Sequence, residues 1–220
     1  MSAPERGPLG SCTPTAAARI WDERFAEPGW TYGTEPNGFL VTVVDRIPQG
    51  RVLSLGEGEG RNAVFLARRG YDMLGVDGSA VGLAKARRLA EEAGVAIATH
   101  LADLAEYEIA PGSWDGIVSI FCHLPAELRR RVHRQVVAGL KPGGVFVFEA
   151  YAPKQLQYGT GGPQTRDLLV SLDDARAELD GLAFEIAREA EREVHEGRRH
   201  SGIGAVVQVV AVKPASGAPQ

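Results

Sequence analysis

The sequence predicts an α/β fold: a Rossmann-like, doubly wound sheet, mostly parallel, with an antiparallel C-terminal hairpin strand. Three observations predict it. Between Arg51 and Tyr151, short runs rich in Val, Ile and Leu alternate with helical patterns, the rhythm of a parallel sheet with helices on both faces. A glycine-rich turn, Gly56-Glu57-Gly58-Glu59-Gly60, joins the first of those runs to the first helix. The end of the chain breaks the rhythm with two runs joined by a short turn, which reads as a hairpin on the sheet edge.

The elements follow in order. Thr15 is placed to cap a helix through Ile20, Arg24 and Phe25 that Pro28 and Gly29 end. Pro36 and Asn37 open a second helix with Phe39, Leu40, Val43, Val44 and Ile47 on one face. The repeating series is strand Arg51–Leu55, helix Asn62–Arg69 closed by Gly70, strand Asp72–Val76, helix Ser79–Ala93 closed by Gly94, and strand Ala96–Leu101. Trp114–Phe121 is the next strand. Pro125–Leu140 is a helix expected to show a basic outer face of Arg129, Arg130, Arg131 and Arg134. Pro142-Gly143-Gly144 is a turn before strand Val145–Tyr151. A helix at Leu172–Leu179 precedes the hairpin, Phe184–His195 and Ala205–Val212, with Gly197 and Gly202 flanking its turn. The charges of Ala187–Arg199 read as a solvated face. Gln208 interrupts the longest apolar run, Ile203 to Val212.

The 220 residues are enough for one domain with a sizeable core. Residues 1–15 read as a disordered leader, 16–213 as the domain, with 16–48 as an N-terminal helical lid segment, and 214–220 as a tail. Twenty-four basic against 28 acidic residues give a net charge of −4, which makes nucleic acid an unlikely partner. Two cysteines, Cys12 and Cys122, cannot build a disulfide framework and fit a reducing, cytoplasmic setting. No apolar run approaches the ~18 residues of a membrane helix, and MSAPERGPLGSC lacks the apolar centre of a signal peptide. The five histidines show no metal-ligand spacing, so no metal is expected.

The glycine turn carries the functional information. A dinucleotide fingerprint is G-x-G-x-x-G, and the position of its last glycine is Arg61 here, which disfavours NAD and FAD. No G-K-[ST] follows, so it is not a phosphate loop. Glu57 and Glu59 would repel a pyrophosphate and suit a ligand with positive charge. Asp77, at the tip of the second strand, can accept from a ribose diol, while Ser79 caps the next helix. At that sheet edge, its removal is expected to change ligand-free stability little. Past the third strand, Asp103 can accept from an exocyclic amine, and the Leu104 amide can meet a ring nitrogen.

These signals, with Trp114-Asp115-Gly116-Ile117-Val118 and Leu140-Lys141-Pro142-Gly143-Gly144, resemble class I S-adenosylmethionine-dependent methyltransferases over residues 20–213. Trp21-Asp22-Glu23-Arg24-Phe25, Tyr32-Gly33-Thr34-Glu35-Pro36-Asn37 and Gly60-Arg61-Asn62 resemble the tellurite-resistance and thiopurine-type branch. The resemblance implies a seven-stranded mixed sheet and S-adenosyl-L-methionine as cofactor. It implies a cofactor site of Gly56, Glu57, Gly58, Gly60, Asn62, Asp77, Gly78, Ser79, Asp103 and Leu104, in which the glycines meet the methionine part. The chain departs from the pattern at Ser54, where relatives carry an acid, and at Glu57, where they carry Cys or Ala.

Methyl transfer needs alignment, exclusion of water and, for some nucleophiles, a base. His123 is the candidate base and Tyr32 the residue expected to close over the sulfonium. Trp30, Tyr151 and Arg166 are candidate substrate contacts, with His200 a weaker one. The expected acceptor is a small molecule such as a thiol or chalcogen oxyanion. The alternatives are a non-catalytic cofactor-binding protein and a methyltransferase acting on protein or RNA.

Overall fold

The computed structural model describes residues 15–197 and 200–215. The leader up to residue 14 and the tail from residue 216 lie outside the described residues, as does the side chain of His200. Helix α1 spans Ala16–Phe25, with the Thr15 hydroxyl accepting from the Ala18 amide. Helix α2 spans Gly38–Val43 behind Asn37, and a 3-10 turn carries the chain on to Arg46. The alternating series is β1 Arg51–Leu55, α3 Arg61–Ala67, β2 Asp72–Asp77, α4 Ala80–Glu92, β3 Ala98–Leu101, β4 Trp114–Ile120, α5 Ala126–Gly139 and β5 Leu140–Tyr151. Helix α6, Leu172–Glu178, is followed by β6 Ala183–Glu196 and β7 His200–Val212.

The seven strands form one sheet in the order β3-β2-β1-β4-β5-β7-β6. Strands β1 to β5 pair in parallel, and β7 enters antiparallel between β5 and β6. The chain runs outward on one side through β2 and β3, then restarts beside β1 with β4. The switch point therefore lies between the ends of β1 and β4, where Gly56 and Phe121 follow their strands.

Strand alternation divides the core into two layers. Leu53, Leu55, Ile117, Phe146 and Phe148 face α5 and α6 through Val132, Val136, Ala175 and Leu179. Val52, Val118, Ile120, Val145 and Val147 face α2 and α3 through Leu40, Val43 and Leu66. Successive residues of one strand point to opposite layers, so both faces are apolar and both are covered.

The structure corrects four readings of the sequence. Arg129 is not on an outer face: its guanidinium forms a two-pronged pair with Glu178 of α6, with both side chains buried. His133 also meets Glu178, at 2.8 Å, and burial holds its pKa below the usual range despite that carboxylate. Gly202 is not at the hairpin turn but inside β7, opposite Val194. Pro142-Gly143-Gly144 is taken into the start of β5, at an irregularity in its pairing with β4. Arg192 and Glu196, expected on a solvated face, are drawn into the interior, with Glu196 only 6% exposed.

Removing one partner of a buried pair leaves a charge without compensation. We expect Arg129→Met to lower stability by about 3–5 kcal/mol in urea unfolding, and the double change Arg129→Met with Glu178→Leu to recover much of that loss.

Candidate functional site

Strand β1 ends at Leu55, and the chain turns through Gly56, Gly58 and Gly60, all at positive φ, before entering α3. A side chain would be strained at each. Gly60 has a further reason: a Cβ there would lie 2.6 Å from Ala86 Cα, so this glycine lets α3 cross close to α4. Gly58 faces the ring of Phe25, 3.1 Å from where its Cβ would be, and Gly56 faces Cys122. Burial pushes the Cys122 thiol up to about 12, so it is no nucleophile at neutral pH.

Asp77 ends β2 beside this turn, 9% exposed. Its Oδ2 accepts from the Gly58 amide at 2.8 Å and its Oδ1 from the Ser79 amide at 2.7 Å. Burial raises its pKa above the ordinary value, against the pull of those two amides. The carboxylate retains further lone pairs for a ligand. It also braces the turn, which corrects the expectation that its removal would spare ligand-free stability. The Ser79 hydroxyl caps α4, accepting from Gly82 and donating to Asp22. Gly78 has only ordinary contacts around it. Asp103 is half-buried past β3 and accepts from the Ala105 amide, and Leu104 is buried in the core.

The turn acids point away from the crevice. Glu57 Oε1 accepts from the Ala63 amide, the chain at Cγ packs on Gly75, and Oε2 has no hydrogen-bond partner among the described residues. Burial pushes this carboxyl up to about 7, against the Ser54 hydroxyl and the Ala63 amide. Glu59 accepts from the Thr31 and Tyr32 amides and from Lys85, fastening the segment after α1 to the turn. Asn62, expected at the cofactor, accepts from the Asn37 amide through Oδ1.

The residues expected on the acceptor side come together only in part. Phe121, at φ 52, is the one non-glycine residue at positive φ among the described residues, a strained setting at the end of β4. Its ring stacks on Tyr151 at 4.7 Å, and the His123 ring lies 5.6 Å from Tyr151 and 6.0 Å from Phe121. Tyr151 is buried and backs this wall, and burial raises its pKa. Across the crevice, Tyr32 packs edge-on to Phe25 and accepts from Arg24. Trp30 does not join them: Lys85 and Arg88 lie over its ring, and it packs near Val64 and Leu89. Arg166 is exposed, donating to Leu169 O and facing Asp174.

Sequence reading missed Asn37, Glu149 and Glu196. Asn37 donates to Glu149 at 2.6 Å and to Glu196 at 2.9 Å. The signal was present as two polar interruptions in apolar strands, Glu149 and Gln208, which stand opposite each other in register and hydrogen bond. Among the described residues no cluster of three or more His, Cys, Asp or Glu is placed to hold a metal ion, and no helix is long and apolar enough to cross a membrane.

A family model described as "Methyltransferase domain" matches residues 52–144, from β1 to the start of β5. A 2-heptyl-1-hydroxyquinolin-4(1H)-one methyltransferase of Mycobacteroides abscessus is 28% identical over 56% of this chain. The match spans 55% of that relative's length. Among solved structures, one described as "Conversion of a Disulfide Bond into a Thioacetal Group during Echinomycin Biosynthesis" superposes with a TM-score of 0.72, 18% identity, and coverage of 90% of this chain and 93% of the other. TehB from Haemophilus influenzae superposes with a TM-score of 0.68, 20% identity, and coverage of 89% and 66%. At these identities the structures establish a shared fold, as does that of an S-adenosylmethionine-dependent methyltransferase from Clostridium acetobutylicum, with a TM-score of 0.62, 13% identity and coverage of 90% and 98%.

The Glu57 proton gives a pH test. An acid whose pKa rises on folding adds stability that is complete below its unfolded value and lost as pH rises through its folded value, here about 7. Glu57→Gln cannot ionise and keeps an acceptor for Ala63. We expect wild-type stability to fall relative to the variant between about pH 5 and about pH 8, by up to about 3 kcal/mol in urea unfolding.

Proposed function

We propose that this protein transfers a methyl group from S-adenosyl-L-methionine to a small, planar aromatic acceptor. The observation that carries the reading is the pairing of Asp77 with the Gly58 amide at the switch point, inside the stretch that matches a methyltransferase domain. The residues fit the cofactor. Asp77 offers lone pairs to a ribose diol, Asp103 and Leu104 stand at the end of β3 for the adenine, and Gly78 leaves backbone to press against. Asp22 and Asp77 give this edge the negative charge that a sulfonium favours.

When bound, the cofactor supplies a methyl group on a sulfonium, whose displacement by an oxygen or sulfur nucleophile discharges the cation. The chain's own residues align and enclose. Phe25 lies too close to Gly58 for a ligand to pass between them, so α1 lifts for entry and returns to exclude water. Phe121 and His123 form one wall that an acceptor ring stacks on, Tyr32 faces it from the other side, and His123 is the base for a hydroxyl acceptor.

The curated relative's name, a hydroxyquinolone methyltransferase, supports an aromatic hydroxyl acceptor over the thiol or chalcogen oxyanion of tellurite-resistance-like enzymes. So does the charge around the wall: the neighbouring arginines, Arg61 and Arg192, are bound to Glu196 and Glu149. A domain over residues 16–213 and a cytoplasmic location belong to the same reading.

Calorimetry tests the cofactor. We expect tight binding of S-adenosylhomocysteine, far weaker binding of NAD, and a loss of about 1.5–3 kcal/mol in S-adenosylhomocysteine affinity for Asp77→Asn. NAD binding as tightly as S-adenosylhomocysteine overturns the reading. Labelled S-adenosylmethionine tests the acceptor against 2-heptyl-1-hydroxyquinolin-4(1H)-one, thiols, chalcogen oxyanions, halides, purines and amines. Methylation of the hydroxyquinolone alone supports an aromatic acceptor. Binding without methylation of any compound marks a non-catalytic protein.

A further inference from the structure

Behind the aromatic wall lies a buried polar cluster that the proposed chemistry does not use. Glu149 of β5 is fully buried. Its Oε1 accepts from Arg192 at 2.8 Å and Gln208 at 2.7 Å, and its Oε2 from Asn37 at 2.6 Å and Arg192 at 2.7 Å. Glu196, the last residue of β6, accepts through Oε1 from Asn37 at 2.9 Å and Arg192 at 2.8 Å, and through Oε2 from Arg61. Two acids and two arginines balance, and every carboxylate oxygen is used.

Its position is unusual for the layer it occupies. Val145 and Val147 on β5 and Val210 on β7 are core residues of this face, and Glu149 and Gln208 interrupt the face at the edge where the crevice opens. Apolar residues of similar volume in place of a buried ion network commonly cost a fold nothing, so stability alone does not account for it. Its members account for it better. Arg61 directly follows the last turn glycine, Asn37 caps α2 at the end of the segment that carries Tyr32, and Glu149 is two residues from Tyr151 on the same strand face. Beyond Glu196, Gly197 at φ 70 lies on the Thr31–Tyr32 main chain, where a Cβ would meet Thr31 O at 2.4 Å. The hairpin end is therefore fitted against the segment that bears Tyr32.

We propose that Arg61 and Glu196 are positioning residues that register the acceptor wall against the glycine turn, through Asn37 and Arg192. The proposal rests on the reading of Phe121 and His123 as the acceptor wall and of Tyr32 as the residue that faces it. Arg61 and Glu196 touch neither cofactor nor acceptor; they fix where Tyr32 and Tyr151 stand relative to Gly58 and Asp77. Arg61 and Arg192 also hold the Glu196 carboxyl below its ordinary pKa although burial opposes them, so the pair stays ionic at neutral pH.

The test compares the wild type, Arg61→Met with Glu196→Leu, and Glu196→Asp as the conservative change. The apolar pair keeps the volume filled if the single changes fail to fold. The registering role predicts that the apolar double variant melts cooperatively and binds S-adenosylhomocysteine within about threefold of wild type. It predicts that the KM for 2-heptyl-1-hydroxyquinolin-4(1H)-one rises about tenfold or more, and that Glu196→Asp recovers part of this. An unchanged KM in a folded double variant overturns the proposal. So does a parallel loss of cofactor affinity, KM and melting temperature, which marks a merely structural pair. If the wild type binds S-adenosylhomocysteine but methylates no acceptor, the acceptor reading fails, and hydrogen exchange decides the positioning role. Faster exchange confined to residues 31–40 and 149–152 in the double variant supports it, and unchanged or uniformly faster exchange overturns it.

Discussion

Carboxylates that bind the chain's N-terminal segment to the rest of the fold hold the crevice together. Asp22 of α1 accepts from the Ser79 hydroxyl and the Val81 amide at the start of α4. Glu59 accepts from the Thr31 and Tyr32 amides, and Glu149 and Glu196 share the Asn37 side-chain amide. Hydrogen bonds to a charged acceptor are stronger than neutral ones, and these tie down a stretch with little helix of its own. Without them Tyr32 and Phe25 would have no fixed place over the glycine turn.

The acids of the turn are bound within the protein. Two glutamates among three glycines look like a cradle for a cation, yet neither reaches into the crevice. Glu57 caps the start of α3 from beneath, and Glu59 faces outward to the lid. The negative edge that remains comes from Asp77 and Asp22, one from the sheet and one from α1. The N-terminal segment thus brings one of the two carboxylates at this edge.

Buried charge recurs on the other face, where Arg129, His133 and Glu178 join α5 to α6. The first cluster joins two helices, and the second ties Asn37 and Arg61 to strands of the sheet. An apolar contact would hold these elements together but tolerate sliding, whereas a two-pronged arginine–carboxylate pair has one geometry. The clusters are costly in desolvation and specific in direction.

The sequence by itself determined the alternation of strands and helices, the glycine turn, the tip position of Asp77 and the antiparallel hairpin. Each of these rests on local chemistry: residue period, a required positive φ, a cap such as Ser79 or Thr15. Trp30, Asn62, Arg129, Arg192 and Glu196 were not legible in this way. Their partners lie far along the chain, as with Arg61 and Glu196, 135 residues apart, or Asn37 and Glu149, 112 apart. A charged residue on an alternating strand looks solvent-facing until the strand order places something above it. Here β7 lies between β5 and β6, bringing Arg192 and Glu196 over Glu149. Only the tertiary structure decided that, because a buried ion pair is defined by two positions at once and a sequence displays them singly.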